Sequence, residues 1–156
     1  MGINERTTLK LEELQRFRDA MDMSGDAIYL VDRAAMRFVD VNRTACLRMG
    51  YSREELLQMG PQDLLNEKRE KIEKLYDEVI AAGAGGTTMQ SAARTRDGRE
   101  SVTELHRRAM LVDEVWIIVS IARDEARYDP RVALRIRRGE PMDAAQYIEL
   151  VARRKA

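Results

Sequence analysis

The residue best suited by type to proton chemistry is His106, the one histidine in the chain. An imidazole titrates near neutrality and can serve as a general base with a carboxylate behind it. Glu104 is the natural candidate, two positions away. On a strand the two are neighbours on one face. That face is half-polar, so His106 reads as a structural or solvated histidine rather than a catalytic one. A small cavity enzyme using His106 is the weakest of the functional readings, and it requires the ring to sit inside a pocket. With one histidine, a His-rich metal site and a Ser-His-Asp triad with a spare histidine are excluded. Cys46 is the one cysteine, so no intrachain disulfide forms. Within Thr44-Ala45-Cys46-Leu47-Arg48 it reads as a small buried helix residue. The sequence holds no G-x-x-x-x-G-K-[ST], no G-x-G-x-x-G after a strand, no H-E-x-x-H and no G-x-S-x-G. No catalytic residue and no metal ligand is assigned.

Composition narrows the classes further. At 156 residues the chain is one domain by size, with room for one core. Lys plus Arg and Asp plus Glu both number 27, so there is no overall pull towards nucleic acid. Aromatic residues make up 5% against 44% apolar, which predicts a core of aliphatic side chains and methionine. No apolar run approaches the roughly 20 residues that span a bilayer. The opening MGINERTTLK has no apolar segment of a secretory signal, and Arg6 stands where a myristoylation motif needs Ser or Thr. A cytoplasmic protein is expected, although a longer parent protein could still carry a membrane span.

Patterning supplies the elements that must hold any site. Residues 7–23 predict an amphipathic helix, with Leu11, Leu14, Phe17 and Met21 at spacings of three and four. Such a helix docks on a sheet or on its copy in a second subunit. Arg18 at the next core position argues against a long coiled coil. Residues 27–31 and 36–41 predict two strands. Asn42 then caps a short helix that Gly50 closes, and Ser52 and Glu55 form a capping box for the next one. Gly60-Pro61 breaks the chain before a single turn carrying Leu64 and Leu65. A helix capped by Asn66 and running to Ala82 has Ile72, Leu75, Tyr76, Val79 and Ile80 on one face. Strands follow over 87–96, 99–112 and 115–122. Asp97-Gly98 predicts a type I′ hairpin turn, and Asp113-Glu114 a second tight reversal. On the long strand Thr103, Leu105, Arg107, Ala109 and Leu111 share the face expected against the helices. Val102, Glu104, His106, Arg108 and Met110 share the other. After Asp124, residues 131–138 and 141–155 predict two short helices in a basic tail, read as a solvated tail with nucleic-acid contact disfavoured.

The stretch Ala27-Ile28-Tyr29-Leu30-Val31-Asp32, the Val41-Asn42 pair, Thr44-Ala45-Cys46, and the run Met49-Gly50-Tyr51-Ser52-Arg53-Glu54-Glu55-Leu56-Leu57 together resemble the N-terminal half of a PAS domain. Arg96-Asp97-Gly98-Arg99-Glu100 and Ser120-Ile121-Ala122-Arg123-Asp124 resemble its C-terminal strands. The resemblance covers about residues 20–124. It implies an α+β fold, a five-stranded antiparallel sheet with helices on one face, flanked by the N-terminal helix and a helical tail. The domain boundaries that follow are 1–24, 25–124 and 125–156.

The resemblance also implies a cavity between sheet and helices. Its expected lining is Ile28, Leu30, Phe38, Leu47, Leu56, Leu64, Leu75, Val79, Thr103, Leu105, Arg107, Ile117 and Val119. Arg107 would be the charged group there for an anionic ligand. Haem is disfavoured because the long helix has no histidine, and flavin because the reactive-cysteine motif is absent; an unidentified small ligand is the expected occupant. Leu11, Leu14, Phe17, Met21 and Trp116 are the expected contacts of a homodimer. The function implied is a sensory or regulatory module of bacterial-type signal transduction that binds a small ligand or a partner and signals through a dimer to an output domain or partner protein. The alternative is a ligand-free dimerisation scaffold.

Overall fold

The computed structural model describes residues 2–123, and the tail at 125–156 with its two expected helices lies outside the described residues. Helix α1 (Gly2–Asp22) leads into β1 (Ala27–Asp32) and β2 (Arg37–Val41). Four helices follow: α2 (Arg43–Met49), α3 (Arg53–Leu56), α4 (Pro61–Leu64) and α5 (Arg69–Ala82). A 3₁₀ turn at Gly83–Gly85 leads to β3 (Thr87–Arg94), β4 (Glu100–Val112) and β5 (Val115–Arg123). The strands form one antiparallel sheet in the order β2-β1-β5-β4-β3.

The caps act where the residue types place them. Asn42 accepts from the Ala45 N–H, and Gly50 ends α2 at φ 81°, where a Cβ would be strained. Ser52 and Glu55 complete the capping box of α3. Asn66 does not open α5; the helix starts two residues later behind Lys68, which offers no side-chain cap.

Turn chemistry departs from expectation at the β3–β4 hairpin, while Asp113-Glu114 makes the expected tight reversal. At β3–β4 only Gly98 has positive φ, at 86°. The Thr95 N–H donates to the Arg99 carbonyl and the Gly98 N–H to that of Thr95. That is a three-residue loop with a left-handed glycine, not a type I′ pair. The consecutive positive-φ pair lies instead at Asp113 (47°) and Glu114 (65°), between β4 and β5.

This two-residue turn fixes the sheet's faces. Val112 pairs with Val115, and Arg107 with Ser120. Paired residues share a face, so inward positions are odd on β4 and even on β5. Thr103, Leu105, Arg107, Ile118, Ser120 and Ala122 are all buried against the helices. On β1, Ala27 and Val31 join them. Met36, Phe38, Val41, Ala45, Met49, Leu56, Leu64, Ile72, Tyr76 and Val79 complete the core.

Helix α1 leaves its apolar side uncovered. Leu11, Leu14 and Phe17 are each more than 60% exposed, while Met21 is half-buried. The helix is tied to the domain at its C-terminal end, where Asn42 donates to the Met21 carbonyl at 2.8 Å and the Arg43 N–H to the Asp22 carboxylate at 2.8 Å. No helix among the described residues is long and apolar enough to cross a membrane.

Candidate ligand-binding site

Between sheet and helices lies a cavity of about 50 Å³. Tyr29, Val31 and Phe38 approach it from β1 and β2, Arg48 and Met49 from α2, and Pro61, Leu64 and Leu65 from α4 and its end. Tyr76 of α5 closes one side. The sheet supplies Ser91 and Ala93 from β3, Ser101, Thr103, Leu105 and Arg107 from β4, and Ser120 and Ala122 from β5. The wall is mostly apolar on the helix side, apart from Arg48 and the Tyr76 phenol, and carries hydroxyls on the sheet side.

Arg107 is the unusual member. Its residue is 2% exposed, yet no carboxylate among the described residues pairs with it. One Nη1–H points to the Met89 sulfur at 3.0 Å, a weak acceptor. The guanidinium sits 5.4 Å from the centre of the Tyr76 ring, a cation–π contact. Its Nε has no hydrogen-bond partner, and neither has the hydroxyl of Ser120 beside it on β5. Burial pushes the guanidinium down from its ordinary value, with the Tyr76 phenol opposing. Arginine nonetheless stays protonated in proteins. A buried cation without a counter-charge costs several kcal/mol.

The tyrosines show the same low polarity. Burial pushes the Tyr76 phenol up to about 12, Arg107 opposing it. Burial also pushes Tyr29 up, opposed by Arg48. Arg48 itself lines the cavity and donates from Nη1 to the Ala122 carbonyl at 2.8 Å.

The expected lining divides. Phe38, Leu64, Thr103, Leu105 and Arg107 meet at the cavity. Ile28, Leu30, Ile117 and Val119 do not: they lie on the opposite face of the sheet, because the Asp113-Glu114 turn and the β1–β5 register place Tyr29, Val31, Ile118 and Ser120 inward. Leu47 is 74% exposed. It sits two residues from both Ala45 and Met49, which face the core, and so points away from it. Leu56 and Val79 are buried in the core without reaching the cavity, and Leu75 is half-buried outside it. Trp116 pairs with Leu111 and shares the face of Ile118, but stands beyond the helices near the hairpin tip, 38% exposed.

Tyr29, Val31, Met49, Tyr76, Ser91, Ala93, Ser120 and Ala122 are cavity residues that the sequence reading missed. For those on β1 and β5 the signal was present: counting across the two-residue reversal assigns the faces.

His106 is on the outer face. Its Nε2 lies 2.6 Å from Glu104 Oε1 and its Nδ1 3.2 Å from Thr88 Oγ1. The ring does not line this cavity; it borders a separate concavity on the outer face with Thr88, Arg108 and Val119. Burial, then the charge of Asp22, pushes the Cys46 thiol up, the reverse of an activated nucleophile. Among the described residues no three His, Cys, Asp or Glu side chains converge on a metal position.

Comparison with known proteins agrees with this architecture. The sequence profile of the PAS domain family matches residues 15–80. A methyl sulfide methyltransferase-associated sensor of Methanosarcina acetivorans is 30% identical over 111 residues, which are 62% of this chain and 11% of that protein. The chain thus spans about a tenth of the length of this curated relative. A PAS domain of an HTR-like protein from Haloarcula marismortui superposes with a TM-score of 0.66 at 21% identity, covering 77% of this chain and 98% of that one. A domain of a sensory box sensor histidine kinase/response regulator from Geobacter sulfurreducens gives 0.59 at 25% identity, covering 72% and 94%.

Proposed function

The chain contains a PAS domain, and on that premise we propose that it is a sensory module that binds a small ligand in the cavity and signals through a dimer. The observation that carries this reading is the buried, unpaired Arg107 at a cavity with a second orphaned polar atom. A chain that used the cavity only as packing would gain stability by replacing both groups with apolar ones. Sensor relatives support the general role. A change of occupancy alters the charge balance behind the sheet, and any response requires differential affinity for two arrangements.

A second reading, a ligand-free dimerisation scaffold, is favoured by α1. Its Leu11, Leu14 and Phe17 are exposed together and suit the same helix of a second copy or the outer sheet face that carries Ile117 and Val119. Both readings use this surface; they differ in the cavity. Native mass spectrometry of the full chain separates them. A dimer retaining a small molecule supports sensing, and a dimer with no mass beyond the protein supports the scaffold. A Leu14→Glu change is expected to leave the domain folded and shift sedimentation to the monomer. Unchanged sedimentation would remove α1 from the contact.

A further inference from the structure

We infer that the cavity recognises a short-chain monocarboxylate, with the carboxylate held by Arg107 and Ser120 and the alkyl end against the apolar wall. This rests on reading the cavity as a ligand site and adds the chemical class.

The geometry of the guanidinium carries the inference. Nη1 is turned to the Met89 sulfur, which leaves the Nε edge. That edge grips a carboxylate side-on through two parallel N–H···O bonds. Nε is buried and without an acceptor. Ser120 is the cross-strand partner of Arg107, only 4% exposed, and its hydroxyl is likewise unpartnered. One carboxylate supplies acceptors to both. No Asp or Glu lines the cavity, so the protein offers no internal substitute and would repel no anion there. Arg48, at the same cavity, adds positive charge of the same sign.

Size and wall chemistry narrow the class. A volume of about 50 Å³ is small and favours a compact ligand of a few non-hydrogen atoms. Val31, Phe38 and Leu64 would face its remainder, and apolar side chains favour an alkyl group over a second charge or a hydrated inorganic ion.

The test is titration calorimetry on the full chain with propionate, propionamide and chloride. Propionate is expected to bind about tenfold or more tighter than the isosteric amide, and chloride not to compete at equal concentration. Arg107→Gln should lower propionate affinity about tenfold or more, and Ser120→Ala about three- to tenfold. Should Arg107→Gln not fold, Ser120→Ala and the ligand series decide the question. Propionamide or chloride binding as well as propionate overturns the inference, and so does Ser120→Ala binding propionate unchanged. A neutral occupant found by native mass spectrometry also overturns it, while leaving the sensory reading standing. No binding by any of these, in a protein that purifies empty, removes both.

Discussion

Asn42 donates from its side-chain nitrogen to the Met21 carbonyl at 2.8 Å, joining the last turn of α1 to the start of α2. The same nitrogen reaches the Asp26 carbonyl at 2.9 Å. The side-chain oxygen accepts from the Ile28 and Ala45 N–H groups at 2.9 and 3.0 Å. One buried amide therefore uses both donors and both acceptor positions, and fastens helix, strand and helix together. Asn42→Ala leaves these backbone groups without their partner. A loss of about 2–4 kcal/mol in urea unfolding is expected. Hydrogen exchange should show amide 28 losing protection before the β4–β5 amides do. A loss under 1 kcal/mol would contradict this role.

Gly86 adopts φ 63° and ψ −158°, a region that excludes side chains. A Cβ there would stand 2.1 Å from the Arg107 carbonyl oxygen. Gly86→Ala should cost about 2–4 kcal/mol by thermal or urea unfolding. Gly85, one residue earlier, has open space around its Cβ position. Gly85→Ala is expected to change stability by less than about 1 kcal/mol. Equal effects at the two positions would argue against the close approach.

Leu56 and Leu47 look alike in the sequence and differ in the fold. Leu56 is 0% exposed and Leu47 74%. Truncation to alanine should cost about 2–5 kcal/mol at Leu56, and under about 0.5 kcal/mol at Leu47. Denaturant midpoints measured under one condition decide it.

Alkaline pH should act through Tyr76. Its phenol is held up to about 12 by burial in the folded chain, whereas an unfolded tyrosine ionises near 10. Between those values the unfolded chain has released a proton that the folded chain keeps. Stability is therefore intact below about pH 10 and falls as pH rises towards 12. The Tyr76 share of that fall is on the order of 2 kcal/mol. Tyr76→Phe should flatten the decline in urea midpoint between pH 9.5 and roughly 11.5 without abolishing it, since Tyr29 is raised as well. An unaltered slope in Tyr76→Phe would mean the phenol is not sealed from water.

The fold was legible from local signals because each is enforced locally. Gly50, Ser52 and Glu55 satisfy groups within a turn of themselves, so residue type and spacing suffice. The cavity was half legible because its faces are set by register. Choosing Leu105 and Arg107 as inward was sound from polarity alternation. Choosing Ile117 and Val119 with them ignored the parity change that a two-residue turn imposes. The β-branched residues of β5 lie on both faces, so hydropathy could not correct the choice. Arg107 was visible as a candidate only through alternation. That it lacks an acid partner depends on which side chains reach it through space, which a linear pattern does not encode. Asp97-Gly98 shows the reverse case, while the tight reversal expected at Asp113-Glu114 is present. The residue pair with the stronger turn signature adopts the longer loop, and an acidic pair takes two left-handed positions at some strain.

That acidic pair has a consequence for colloidal behaviour. The reversal ends a strip where Met110, Leu111, Val112, Val115 and Trp116 are all 38–56% exposed. Glycine or asparagine would suit the backbone there far better. Two carboxylates instead crown this apolar tip, where like charge on neighbouring molecules disfavours tip-to-tip contact. The turn thus joins a strained backbone at Asp113 and Glu114 to a pair of charges at the end of an apolar strip.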